Sequence, residues 1–115
     1  TQGEEGVDPV VDRAQSYIWG HLAEPLPLTK IAFVARCSRR YLCARFLIET
    51  GDTVGGYIRR VRLLCAANEI RSGVKITAVA RGVGYRSYGN FVRVFRAAFG
   101  ANPRTFRSAA RSELD

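Results

Sequence analysis

Residues 76–107 read ITAVARGVGYRSYGNFVRVFRAAFGANPRTFR. Thr77-Ala78-Val79-Ala80 is the start of a short helix, and Gly82-Val83-Gly84-Tyr85 has the glycine content of a tight turn. Ser87 is a good N-cap for a helix running through Phe99, and Gly100 stops it. Phe91, Val94, Phe95, Ala98 and Phe99 fall at i, i+3, i+4, i+7 and i+8, which predicts one buried stripe. Pro103 opens a last short helix that carries Phe106. A short helix, a tight turn and a capped longer helix form the helix-turn-helix pattern.

The pattern occurs twice. Residues 31–57 read IAFVARCSRRYLCARFLIETGDTVGGY. Laid over the second stretch at one fixed offset, Ser38 falls on Ser87, Leu42 on Phe91, Phe46 on Phe95, Gly51 on Gly100 and Tyr57 on Phe106. Ala32 falls on Ala80 one residue out of step, because the second turn is longer by one. Thr29 is expected to cap the short helix of this copy, with Ile31, Ala32, Val34 and Ala35 on it. Arg36-Cys37 makes the turn. Ser38 caps a helix to about Thr50 whose apolar face includes Leu42, Phe46 and Leu47. A cap, an apolar pair at i and i+4 and a stopping glycine, repeated, indicate a duplicated supersecondary unit.

Around the two copies the chain reads as helices throughout. Asp8-Pro9 starts a helix, Asp as N-cap and Pro at N1, with Val10, Ala14, Tyr17, Ile18 and Leu22 at helical spacing. Glu24-Pro25-Leu26-Pro27 ends it. Thr53 caps a long helix to about Ser72, stopped by Gly73, with Tyr57, Ile58, Val61, Leu64, Cys65 and Ile70 as its buried stripe. About 18 residues at 1.5 Å each make a strut of roughly 27 Å. The fold class is therefore all-α, about seven helices in two helix-turn-helix subdomains joined by a long linker helix. The expected divisions are an acidic leader or linker remnant over 1–8, a first subdomain over 9–53, the linker helix over 54–73, a second subdomain over 74–110 and a flexible tail over 111–115.

Charge narrows the function. The 115 residues carry a net +8, and residues 1–12 hold Glu4, Glu5, Asp8 and Asp12 without one Lys or Arg. All the positive excess thus lies from Arg13 onward, and only Lys30 and Lys75 are not Arg. Arginine pairs bidentately with phosphate and with guanine edges, so a small Arg-rich domain points to nucleic acid. Cys37, Cys43 and Cys65 are an odd number without CxxC spacing, which argues against a disulfide framework or a zinc site. No apolar run reaches membrane-spanning length. With no Cys cluster and no His/Asp/Glu constellation, no enzyme, metal or cofactor is expected; a cytoplasmic, nucleoid-associated protein is.

Each longer helix has a face left over beside its buried stripe. On the first it is Arg39, Arg40, Cys43 and Ala44; on the second it is Tyr88, Gly89, Val92 and Arg93, with Arg96 one turn on. A recognition helix needs small or polar residues near its N-terminus for close approach to base edges, and Arg for guanine. Gly89 costs about 1 kcal/mol relative to Ala inside a helix, a cost that close approach accounts for. These eight residues are the candidate base contacts. Arg36, Ser38, Arg62, Arg86, Ser87, Arg96 and Arg104 are the candidate phosphate contacts. Successive major-groove faces lie about 34 Å apart, a distance the strut suits, so one chain is expected to read two segments of an asymmetric site.

On these residues the chain resembles the DNA-binding domain of AraC/XylS-type transcription regulators. The resemblance covers residues 10–107. It rests on Ile31-Ala32, Ser38, Tyr41-Leu42, Phe46, Gly51-Asp52-Thr53, Tyr57-Ile58, Arg62-Leu63 and Ala66. In the second half it rests on Ile76, Val79-Ala80, Gly84-Tyr85, Ser87, Asn90-Phe91, Arg93, Phe95, Phe99-Gly100, Pro103 and Phe106-Arg107. It implies seven helices and binding of double-stranded promoter DNA as activator or repressor. The family's base-contacting positions fall on Arg40, Cys43 and Ala44, and on Tyr88, Gly89, Val92 and Arg93. It also implies a separate effector-binding or dimerisation domain in many members. Beside the resemblance, this domain is expected to be monomeric, and RNA polymerase is a further candidate partner. The alternative reading is a helical protein-interaction module with non-specific DNA affinity. Two departures stand out. Arg36 occupies a turn position where the family has Gly, and Cys43-Ala44 stands where long polar side chains are common, which suits apolar contact with thymine methyls.

Overall fold

A computed structural model describes residues 9–114. Among them are seven helices and no strand: α1 Pro9–Gly20, α2 Leu28–Ala35, α3 Arg39–Thr50, α4 Val54–Arg71, α5 Ile76–Gly82, α6 Tyr88–Phe99 and α7 Pro103–Leu114. The all-α architecture expected from the sequence is thus observed. Residues 1–8, with the leader and the Asp8 cap, lie outside the described residues, as does Asp115. The chain divides into two compact units, the boundary falling after Arg60 within α4.

In the first unit α1 packs on α2 and α3. Val11, Ala14 and Ile18 meet Ile31, Ala32, Ala35, Leu42 and Phe46 in a buried core that Val54, Tyr57 and Ile58 complete. Burying a residue such as Phe46 fully is worth about 1.5–3 kcal/mol. Arg13 reaches from α1 to the end of α2, donating from Nε and from a terminal nitrogen to the Ala35 carbonyl at 3.1 and 2.7 Å. A last-turn carbonyl otherwise lacking a helical partner is thereby satisfied. Trp19 donates to the Tyr57 hydroxyl at 2.9 Å, and His21 stacks on Tyr17 with ring centroids 4.1 Å apart.

In the second unit the core is Leu63, Ala66, Ala67 and Ile70 of α4 with Val79, Ala80, Val83, Phe91 and Phe95. Phe99 and Phe106 pack against it, and Phe95 holds Phe99 with centroids 4.5 Å apart. Arg107 donates from Nε to the Ile70 carbonyl at 3.0 Å and from a terminal nitrogen to the Val74 carbonyl.

The duplication extends to the packing. Phe46 and Tyr57 meet edge to face at 5.1 Å and 75°; their counterparts Phe95 and Phe106 do so at 5.2 Å and 82°. Gly51 and Gly100 end α3 and α6 at φ 78° and 79°, donating to Leu47 and Arg96 carbonyls. The Thr53 hydroxyl accepts from the Gly56 amide at 3.0 Å. At the same offset Asn102 caps α7, its Oδ1 accepting from the Thr105 amide at 2.8 Å.

The turns match more closely than their sequences. Cys37 donates to Ala32 and Arg36 to Phe33 across the first; Tyr85 donates to Ala80 and Gly84 to Arg81 across the second. Arg36 is therefore the counterpart of Gly84, and both have positive φ, 66° and 100°. The extra residue of the second turn is Arg86, between Tyr85 and the Ser87 cap.

Several local expectations are corrected. Thr29 does not cap α2: the helix starts at Leu28 after Pro27, whose carbonyl accepts from both Lys30 and Ile31. Leu64 is exposed, because the buried positions in that half of α4 are Leu63, Ala66, Ala67 and Ile70, a helical face to one side of it. Leu47 and Ala98 also face outward, and Val94, Cys65 and Phe99 are only partly covered. Residues 111–114, expected in a tail, continue α7.

Candidate nucleic-acid interface

Both longer helices begin in the same way. The Ser38 hydroxyl accepts from the Tyr41 amide at 3.0 Å, and that of Ser87 from the Asn90 amide at 3.1 Å. Each cap occupies one orphan amide of the first turn and leaves its own O–H free to donate. Neither first turn contains an acidic residue. The positive end of each helix dipole therefore stands uncancelled, which favours an approaching phosphate.

The candidate base contacts on α3 lie together on its outer side. Arg39, Arg40, Cys43 and Ala44 are all exposed, while Leu42 and Phe46 are buried beneath them. The stripe continues one turn on with Leu47, 52% exposed, and Ile48, 69% exposed. The cation nearest this apolar extension on the same helix, Arg45, is tied to Glu49 by an i, i+4 ion pair of 2.6 Å.

On α6, Tyr88, Gly89 and Arg93 are exposed and Val92 is half-buried. The Arg93 guanidinium donates to the Asn90 Oδ1. Asn90 was not among the sequence candidates; its i, i+3 spacing from Arg93 is the signal that reveals it. A Cβ added at Gly89 would meet only the Ser87 hydroxyl, at 3.9 Å. Nothing inside the protein requires glycine there.

The candidate phosphate contacts divide by burial. Arg36, Arg86, Arg96 and Arg104 are exposed, and Arg36 stands on the left-handed turn residue itself. Arg62 is half-buried. Burial pulls its guanidinium below the ordinary value, while the electrostatic effect of Tyr85 acts in the opposite direction. Arginine stays charged under such a shift, so Arg62 presents a partly desolvated cation against the second turn. Of the cysteines, Cys43 is exposed and Cys37 and Cys65 are partly covered. Burial, helped by Glu69, pushes the Cys65 thiol up, which keeps it protonated and unreactive near neutrality. No group of metal-ligating side chains gathers among the described residues, and no helix there is long and apolar enough to cross a membrane.

Two capped helices that project Arg-bearing outer faces from paired helical units define a helix-turn-helix protein. A family profile described as "Helix-turn-helix domain" matches residues 31–109. The regulatory protein SoxS of Escherichia coli K12 is 38% identical over 93 residues, covering 80% of this chain and 87% of SoxS. The DNA-binding domain of AdpA, a global transcriptional factor whose structure is solved in complex with a target DNA, superposes with a TM-score of 0.84. It is 27% identical and covers 93% of this chain and 96% of that one. The C-terminal domain of the response regulator AraT from Geobacillus stearothermophilus gives a TM-score of 0.83 at 29% identity, covering 89% and 86%. The chain belongs to the AraC-type helix-turn-helix family, as the DNA-binding domain of a transcription regulator.

Proposed function

We propose that the chain reads a promoter duplex sequence-specifically, with α3 and α6 in successive major grooves of an asymmetric site. The observation that carries this reading is the equivalence of the two helices. They have the same cap, stop and buried pair, and each has a row of exposed residues starting in a first turn free of acids. Arg39, Arg40, Cys43 and Ala44 are assigned to bases of one segment, and Tyr88, Gly89, Val92 and Arg93 to bases of the other. Arg36, Ser38, Arg62, Arg86, Ser87, Arg96 and Arg104 are assigned to backbone phosphates, which position the protein without specifying sequence. The AdpA complex supports the reading, since that related domain binds a target DNA.

The test is a selection from random duplexes followed by a salt titration of the selected site. Five arginine–phosphate contacts correspond to a slope of log K against log[salt] of about −4 to −5. Inserting five base pairs between the two segments should abolish specific binding, because half a helical turn carries one groove to the far side. Unchanged affinity would mean that one unit does the reading alone.

A second reading, a helical protein-interaction module such as an RNA polymerase contact, is favoured by Phe33, 78% exposed on α2. It predicts a flat salt slope, and Phe33→Ser would then weaken the partner complex and leave DNA affinity unchanged.

A further inference from the structure

At the start of the second unit's reading helix lies a basic pocket of about 380 Å³. Arg104, Arg107, Ser108 and Arg111, at i, i+3, i+4 and i+7 along α7, line one side. Lys75 and Thr77 at the beginning of α5 and Tyr88, the first residue of α6, line the other. Four cations and three hydroxyls meet there, and no lining residue is acidic. Arg107 is oriented by the carbonyls of Ile70 and Val74, which leaves some of its five donors unused. Hydroxyl and guanidinium donors around a cluster of positive charge are the recognition chemistry of a phosphate group.

Its position identifies the source of that phosphate. Tyr88 borders the pocket and also heads the α6 stripe. Arg104 lines both this pocket and the adjoining depression formed with Tyr88 and Val92. The pocket is thus continuous with the face of α6 assigned to bases. Where the first turn of a helix enters a major groove, residues beside that turn come to the backbone bordering the groove. We propose that this pocket seats a DNA backbone phosphate bordering the α6 segment, with Lys75 and Arg111 as its principal new contacts and Thr77 and Ser108 as hydrogen-bond donors. This rests on the duplex-binding reading above. It adds residues outside both reading helices to the footprint.

The experiment uses the whole chain, its selected duplex and a matched non-specific duplex. Lys75 and Arg111 are both exposed, so Lys75→Ala, Arg111→Ala and the double variant should keep the helical circular dichroism. The double variant should lose affinity for both duplexes by the same factor, about tenfold at low salt. Its salt slope should be shallower by about one for each cation removed. One methylphosphonate, scanned along the backbone bordering the α6 segment, should weaken the wild type at one position and leave the double variant unaffected there. A double variant with the wild-type slope on a wild type that is itself steep overturns this inference alone. A flat wild-type slope overturns duplex binding as a whole. Titration with inorganic phosphate separates the sources. Saturable amide shifts at Thr77, Tyr88 and Ser108, together with an unchanged DNA slope in the double variant, would assign the pocket to a free phosphorylated ligand and overturn the backbone assignment.

Discussion

α3 and α6 are two answers to one structural problem. Their caps, Ser38 and Ser87, their stops, Gly51 and Gly100, and their buried pairs, Leu42/Phe46 and Phe91/Phe95, correspond position by position. The ring contacts that anchor them agree to within a tenth of an ångström. Their outer faces do not agree. Where α6 has Gly89, Arg93 and Arg96, α3 has Arg40, Ala44 and Leu47. The repeat holds the positions that fold each unit and releases the positions that face outward. α6 presents a cation steered by Asn90; α3 puts the exposed Arg39 and Arg40 in its first turn, with an apolar strip behind them. Two heads with one scaffold and two chemistries suit an asymmetric site.

The largest expected effects test the shared part. Phe46→Ala and Phe95→Ala each remove a fully buried ring and should cost about 3–5 kcal/mol. If the cores are equivalent, amide exchange in the first unit should rise for Phe46→Ala about as much as exchange in the second rises for Phe95→Ala. A much smaller loss at one site would show that its edge-to-face packing is incidental.

Next come the outer faces. Arg93→Ala should cost about 1–3 kcal/mol on the selected duplex and relax preference at the bases facing α6. Arg40→Ala should relax preference in the other segment only. Binding selections repeated with each variant would show this. Uniform weakening on all sequences would reduce Arg93 to a phosphate contact, and an Arg40 effect on the α6 segment would break the two-headed assignment.

The turns and Gly89 carry effects near 1 kcal/mol with informative signs. Arg36 and Gly84 hold the same left-handed position, which is strained for a residue with a Cβ by about 1–2 kcal/mol. Arg36→Gly should therefore raise thermal stability while lowering DNA affinity, if its guanidinium reaches a phosphate; Gly84→Ala should lower stability. Gly89→Ala should stabilise the free protein by about 1 kcal/mol, because the added methyl meets only the Ser87 hydroxyl, at an ordinary van der Waals distance. It should weaken binding to the selected duplex. Stabilisation without loss of binding would mean that Gly89 serves no close approach.

The fold was legible because it is written in punctuation. Serine caps, stopping glycines and an apolar pair spaced by four marked both units, and their recurrence did more than either copy alone. What escaped was set by packing. Leu64 has the right spacing for a buried stripe, but α4 buries Leu63, Ala66 and Ala67 in that half, and spacing alone does not say which of two overlapping faces a core takes. Thr29 is a good capping residue made redundant by the Pro27 carbonyl. The rows of Arg39, Arg40, Cys43 and Ala44 and of Tyr88, Gly89 and Arg93 were visible as what the stripes left over. The Arg93–Asn90 pair was signalled by its i, i+3 spacing, but that the two side chains bond depends on rotamers. The cluster of Lys75 with Arg104 and Arg111 was not visible, because it joins the residue capping α5 to α7 and forms only in the folded unit.

The smallest effect probes the sharpest difference between the heads. Cys43 and Ala44 cannot donate the strong hydrogen bonds by which Arg reads guanine, yet both are exposed in the strip that follows Arg40. An apolar side chain discriminates in the major groove through the one apolar group there, the thymine 5-methyl. Deoxyuridine in place of thymidine removes that methyl and retains the base-pairing edge and the phosphate charge. In the α3 segment the substitution should weaken binding by about 0.8 kcal/mol per contacted methyl, roughly fourfold, with the salt slope unchanged. In the α6 segment, where the half-buried Val92 and the cation Arg93 stand at the positions of Cys43 and Ala44, it should have less effect. Cys43→Ser should reduce the deoxyuridine penalty at its own base, since a hydroxyl there gains little from a methyl. Equal penalties in both segments would mean that the apolar strip of α3 does not read the groove, and that the first head holds its segment through Arg39 and Arg40 alone.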